Sequence, residues 1–188
     1  TRYWRDWSSD VCSSDLPPDH DRLRLSGVKV RRRKKGSTIL ICPQSENHFR
    51  LRGTTKQIWV ARVMEQLNQN TDRPIKVHEK AKGVSRPGYS EHIFYRALSN
   101  NIHAVVVDSS MAGIQAALFG VPCLVTDWDS TVANFGNFDF SQIESLELPE
   151  DRVVRAAQLA NSQWTLHEIE SGLAWENLKR YCLDSMSL

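Results

Sequence analysis

The sequence predicts an α/β domain built on a doubly wound parallel sheet, with helices at its C-terminal end. Three observations carry this expectation. Four short apolar runs are spaced along the chain and separated by stretches of helical periodicity. One segment, Val105 to Val125 (VVVDSSMAGIQAALFGVPCLV), spells out strand, turn, helix and strand in direct succession, the repeating unit of a parallel sheet. Pro43 halts the first of these runs, and Gly120 stops the helix before the last.

The elements follow in order. Thr38 to Cys42 is a short buried strand halted by Pro43, and Gln44 to Gly53 reads as a polar loop. Thr54 or Thr55 caps a helix running to about Asn70, with Val60, Val63, Met64 and Leu67 at helical spacing. Pro74 to His78 is a second strand. Ala81 to Tyr89, with Gly83, Pro87 and Gly88, is a loop, and Ser90 caps a helix that turns Ile93, Phe94, Ala97 and Leu98 inward. His103 to Val107 and Pro122 to Thr126 are the third and fourth strands, joined by a small-residue helix from Met111 to Phe119 that Gly120 stops. Pro149 opens a helix with Val153, Ala156, Ala157 and Ala160 on one face. Thr165 and Glu168 form a capping box for a last helix carrying Ile169, Leu173, Leu178 and Tyr181 along one side.

Residues 1–16 (TRYWRDWSSDVCSSDL) resemble the in-frame translation of a widely used sequencing adapter, so they are set apart from the fold. The resemblance implies a chain from assembled environmental reads, cut short on its N-terminal side. Residues 17–37 read as a linker, a disordered stretch or a partial element, and residues 38–188 as the α/β domain.

Of 188 residues, 24 are basic and 22 acidic, so no strong field selects a nucleic-acid partner. The run Arg31 to Lys35 lacks the aromatic interleaving or helical presentation such a partner needs, and reads as a solvated flank or a contact with another domain. Outside residues 1–16, which hold Cys12, the cysteines Cys42, Cys123 and Cys182 are an odd number without metal-ligand spacing, which points to no metal site and to a reducing, cytoplasmic setting. No apolar run approaches the roughly 20 residues that span a bilayer. Neither GxGxxG nor GxxxxGK[ST] occurs.

The turn Asp108-Ser109-Ser110 places a helix N-terminus after a strand, where open α/β sheets bind ligands and where free N–H groups favour an anion. The pattern DSSMAGIQAALFGVPCLV resembles the Rossmann-like donor-binding half of GT-B-fold glycosyltransferases, of the capsule-polysaccharide and Kdo-transferase type and related phage proteins. The likeness extends over about Ile39 to Arg180, including the tail from Gln163 to Trp175.

The resemblance implies a nucleotide-sugar donor as co-substrate, no separate cofactor or required metal, and an unidentified acceptor. It also implies a preceding domain that normally supplies the catalytic base. It assigns Ser109, Ser110 and Met111, with the basic residues His78 and Lys80, to the donor diphosphate, and Gln115 and Ser45 to the ribose or base. Gln115 stands where the family carries an acid, and Glu79 lies between His78 and Lys80. Trp59, Trp164 and Trp175 are expected in the core or at a domain interface, while Trp128 is placed to stack on a ring. Two other readings stand beside this one: a nucleotide-sugar 2-epimerase, ranked lower because the expected site is poor in acids, and a non-catalytic nucleotide- or sugar-binding protein.

Overall fold

The computed structural model describes residues 20–25, 30–33, 35–78 and 89–185; residues 1–16, Lys80 and the stretch 81–88, expected as a loop, lie outside these. The elements in chain order are α1 (His20–Leu25), β1 (Thr38–Cys42), α2 (Glu46–Leu51), α3 (Lys56–Asn70), β2 (Ile75–Val77), α4 (Tyr89–Leu98), β3 (Ile102–Val107), α5 (Ala112–Phe119) and β4 (Cys123–Val125). Two 3₁₀ turns (Thr131–Phe135 and Phe140–Gln142), α6 (Arg152–Asn161), α7 (Leu166–Glu170) and α8 (Leu173–Ser185) complete the order. The chain forms two compact units, Val28–Val153 and Thr1–Gly27 with Val154–Leu188.

The first unit holds a four-stranded, all-parallel sheet in the order β2-β1-β3-β4. β1 and β3 are central, and every residue in both is buried. Burial on two faces explains their uninterrupted apolar runs, since alternation marks only strands with one wet face. Ile39, Ile41, Ala104, Val106 and Leu124 project to one face, against Phe49, Trp59, Val63, Leu67, Ile143 and Leu146. The opposite face receives α5. A Cβ on Gly113 would lie 2.9 Å from the Val107 side chain and 2.5 Å from that of Val132, so the small residues of α5 serve close packing on the sheet. Cys42 and Cys123 are buried thiols, pushed up to about 12 by burial, and the Cys123 S–H donates to the Phe135 carbonyl. The free edge of β4 is paired in part by Asn137, which accepts from Val125 N–H and donates to Cys123 O.

Several local expectations change. Gln44 to Gly53 is not a plain loop: α2 forms there, with Ser45 as its N-cap accepting from His48 N–H. A single buried residue, Phe49, anchors that helix, too few to create periodicity. Ser90 lies inside α4 rather than at its cap. α6 starts at Arg152, whose N–H donates to Pro149 O.

The basic run is exposed at Arg31, Arg32, Arg33 and Lys35, and two of its arginines also make contacts. Arg31 N–H donates to Leu118 O, its guanidinium lies 4.5 Å over the Phe119 ring, and Arg33 donates to Leu146 O.

In the second unit the capping box of Thr165 and Glu168 is present, but Gly172, at φ +80°, separates α7 from α8, so one expected helix is two. Arg22 pairs with Glu168 at 2.7 Å and lies over the Trp164 ring. Trp175 is exposed rather than core.

Gly120 ends α5 at φ +92°, and a Cβ there would sit 2.0 Å from Arg32 O. Gly120→Ala therefore combines left-handed strain with a backbone collision, and denaturant unfolding is expected to show a loss of about 3 kcal/mol or more. Gly172→Ala meets nothing within 4 Å and is expected to cost only the strain, about 1 kcal/mol. Glu144 accepts from Arg73 Nε at 2.9 Å and from Arg73 NH2 at 2.7 Å, and also from the Thr71 hydroxyl. These bonds hold its carboxyl at about 2, below its ordinary 4.5. A lowered folded-state value means the stabilisation is present above pH 4.5 and fades as pH falls toward 2. Because the carboxylate is half exposed, Glu144→Gln is expected to cost no more than about 1 kcal/mol at neutral pH and nothing measurable near the acid limit.

Candidate functional site

Strand order places the candidate site. From β1 the chain turns to β2 on one side, and from β3 it turns to β4 on the other. The C-terminal edge between β1 and β3 is thus the point where the winding reverses, and open α/β sheets leave a crevice there.

Each strand delivers polar groups to that edge. After β1 come Gln44, His48 in α2, and Arg52 at the C-cap of that helix. After β3 come Asp108, Ser109 and Ser110, and after β4, Thr126 and Asp127. Asp108 is buried at their centre. Its Oδ2 lies 2.7 Å from His48 Nε2 and 3.7 Å from Arg52 NH1, and its Oδ1 accepts from the Thr126 hydroxyl at 2.6 Å. Trp59 Nε1–H donates to that same hydroxyl at 2.9 Å. Arg52 NH2 donates to Asp127 Oδ2 at 2.6 Å. Asp127 in turn organises the next turn, accepting from Asp129 N–H on its carboxylate and from the Ser130 hydroxyl on its carbonyl. Trp128 projects from this turn and is 72% exposed.

A carboxylate only accepts, so His48 Nε2 carries the hydrogen that joins it to Asp108. Ser109 Oγ lies 3.5 Å from the same nitrogen and 3.5 Å from Gln44 Nε2, at the limit of hydrogen bonding. Ser, His and Asp are thus adjacent without forming a nucleophilic triad. A triad base takes the serine proton on a nitrogen free to accept it, and Nε2 is committed to Asp108.

The residues singled out from sequence distribute along this edge. Ser109 and Ser110 sit at the mouth, half-buried, and Met111 is the exposed N-cap of α5, with no hydrogen bond from its side chain to the helix. The Ser110 hydroxyl instead accepts from Ala112 N–H at 3.3 Å. Gly113 N–H donates to the Ser110 carbonyl at 2.9 Å, so two of the first-turn N–H groups already have partners. Gln115 follows Met111 by one helical turn and is partly buried.

Ser45 caps α2 beside the mouth. His78 ends β2, two strands and about 10 Å from β3; its N–H donates to Ile41 O and its ring packs 5.7 Å from Phe94. Burial pushes the His78 imidazole below its ordinary 6.5, so at neutral pH it acts as a hydrogen-bonding group rather than a cation.

Sequence reasoning missed His48, Arg52, Thr126 and Asp127. Thr126 and Asp127 had a positional signal, as polar residues directly following an apolar run, whereas His48 inside α2 and Arg52 at its C-cap had none. Among the described residues, no group of three or more His, Cys, Asp or Glu is placed to hold a metal ion, and no helix is long and apolar enough to cross a membrane. A shallow depression of about 560 Å³, lined by Arg32, Arg33, Leu146, Glu147, Glu150 and Arg152, lies at the other end of the sheet, away from this polar cluster. No protein-family model, curated protein or solved structure matches the chain.

Asp108→Ala would leave the Thr126 hydroxyl and His48 without their acceptor, and is expected to lower unfolding free energy by about 2 kcal/mol or more. Trp59→Phe keeps most of the buried ring and removes one hydrogen bond, with an expected loss of about 1 kcal/mol in the same urea titration. Equal effects from the two changes would contradict the central place of Asp108.

Proposed function

We propose that this chain is the donor-binding domain of a nucleotide-sugar-dependent glycosyltransferase. The observation that carries the reading is the N-terminus of α5, whose Met111 N-cap makes no side-chain hydrogen bond, at the winding-reversal point beside the Ser109 and Ser110 hydroxyls. A diphosphate seated there would accept hydrogen bonds from the remaining first-turn N–H groups, and the helix dipole would favour its charge. As the glycosidic bond to the diphosphate breaks, negative charge grows on the leaving oxygen. Donors fixed in advance stabilise that charge more than they stabilise the ground state. Ser109, Ser110 and Met111 are the residues assigned to the diphosphate; Lys80, assigned to it by resemblance, lies outside the described residues. Gln115 and Ser45 are assigned to the ribose or base. Trp128 adds an exposed ring beside the mouth on which a base or sugar can stack. The acceptor and its base are supplied by another domain, and the donor needs no metal in this reading.

One observation favours a second reading. The mouth is not poor in acids: Asp108 meets His48 there, and Asp127 pairs with Arg52 beside it. A nucleotide-sugar 2-epimerase places acids and histidine in its cleft to move a proton, so the same surroundings suit that chemistry.

Ligand-induced stabilisation tests the site. Binding to the native state alone adds RT ln(1 + [L]/Kd). UDP or CMP at ten times its dissociation constant is therefore expected to add about 1.4 kcal/mol and to raise the melting temperature by about 3 °C or more. A flat response to uridine, cytidine, guanosine and adenosine diphosphates and monophosphates would overturn the proposal. Conversion of a bound nucleotide-sugar to its C2 epimer, followed by NMR, would select the second reading over the first.

A further inference from the structure

The depression of about 560 Å³ at the other end of the sheet is walled by three arginines, Arg32, Arg33 and Arg152, and two acids, Glu147 and Glu150. All five belong to the Val28–Val153 unit. None of the salt bridges among the described residues involves any of them. Neutral acceptors hold the guanidiniums instead. Arg33 donates to Leu146 O, and Arg152 donates to Pro149 O and to Arg31 O, at 3.3 Å each. A backbone carbonyl positions a guanidinium without cancelling its charge, so the charge stays available to an anion.

Two further observations separate this wall from an ordinary solvated basic flank. The first is an unmet donor: Arg152 Nε–H is buried and has no hydrogen-bond partner among the described residues. Buried polar groups are nearly always paired, and an unpaired one is costly. The second is a fixed backbone. Arg31 N–H donates to Leu118 O at 2.7 Å, and Arg32 O abuts Gly120, where a Cβ would meet it at 2.0 Å. The basic run is thus clamped against the end of α5. Donors set in place beforehand lose less freedom when a ligand arrives.

We propose that this depression is a binding site for a small organic anion that carries one phosphate-type head. The head lies among Arg32, Arg33 and Arg152 and supplies the acceptor that Arg152 Nε–H lacks. Guanidinium forks match the paired oxygens of such a group. The rest of the ligand has room, since small-molecule clefts run from about 300 to about 1,000 Å³, and it rests against Leu146 and Leu148. The two acids set the ligand class. Three cations against two anions leave one positive charge in excess, which suits a single compact anion. Exposed Glu147 and Glu150 repel a longer chain of phosphates, so a nucleic acid is the weaker fit. The site is separate from α5 and does not depend on the glycosyltransferase reading.

Inorganic phosphate is the probe for the head. The full 188-residue chain, labelled with ¹⁵N, is titrated with phosphate at neutral pH against chloride of equal ionic strength. A saturable shift is expected at the Arg152 Nε–H signal and at the Arg33 and Glu147 amides. Arg32 is exposed, so Arg32→Gln leaves the fold intact; it is expected to weaken phosphate about fivefold or more. Glu147→Gln is expected to tighten it about twofold. Absence of a saturable shift at Arg152 Nε–H, shifts confined to the Ser109 and Ser110 amides, or equal affinity in Arg32→Gln and the unaltered chain overturns the proposal. A single-stranded oligonucleotide that saturates the same signals at a lower phosphate concentration than inorganic phosphate overturns the assignment to a small ligand.

Discussion

The carboxylate of Asp108 is the constraint around which the C-terminal edge of the sheet is arranged. It is buried at the end of β3 and joined to α2 through His48 and to the residue after β4 through Thr126. Three strand ends that share no sequence neighbourhood are thereby held in one register. A buried carboxylate is costly without partners, and the cost is met by two short hydrogen bonds and a guanidinium at 3.7 Å. Removing any one partner leaves the others bonded to a charge that is less well compensated. The same arrangement that steadies the edge also sets its electrostatics, because the charge that orders the mouth is negative.

The apolar architecture beneath makes that arrangement possible. β1 and β3 are buried on both faces, so their ends are rigid and their last residues are fixed in space. Trp59 links core and site: its ring stacks 5.4 Å from Phe49 within the core, and its indole N–H reaches Thr126. On the other face, Gly113 allows α5 to pack close to Val107, and Gly120 allows the chain to pass Arg32 before entering β4. These contacts hold the N-terminus of α5 over the end of β3 rather than leaving it to swing. Closeness of packing and the absence of a side-chain cap are therefore properties of the same short helix.

How much of this was legible in the sequence depended on distance along the chain. β1, β3, α3 and the β3–α5–β4 unit are local patterns, written in consecutive apolar residues, helical spacing and the Thr55 cap. α2 escaped notice because it has six residues and one buried side chain. The break at Gly172 escaped because a capping box marks where a helix starts and says nothing of where it stops. The mouth was half legible. Ser109, Ser110 and Met111 follow from one segment, whereas His48, Arg52 and Asp127 reach Asp108 only through the fold, with His48 60 residues away in sequence. No local period encodes such a meeting, so the site was expected to be poor in acids.

The most direct measurement is a crystal structure of the chain grown with UDP. The account places the diphosphate at the N-terminus of α5, within hydrogen-bond reach of the Ser109 and Ser110 hydroxyls and the Met111 N–H, with His48 facing it from α2. A nucleotide bound instead in the depression lined by Arg32, Arg33 and Arg152, with the mouth beside Asp108 unchanged, would contradict it.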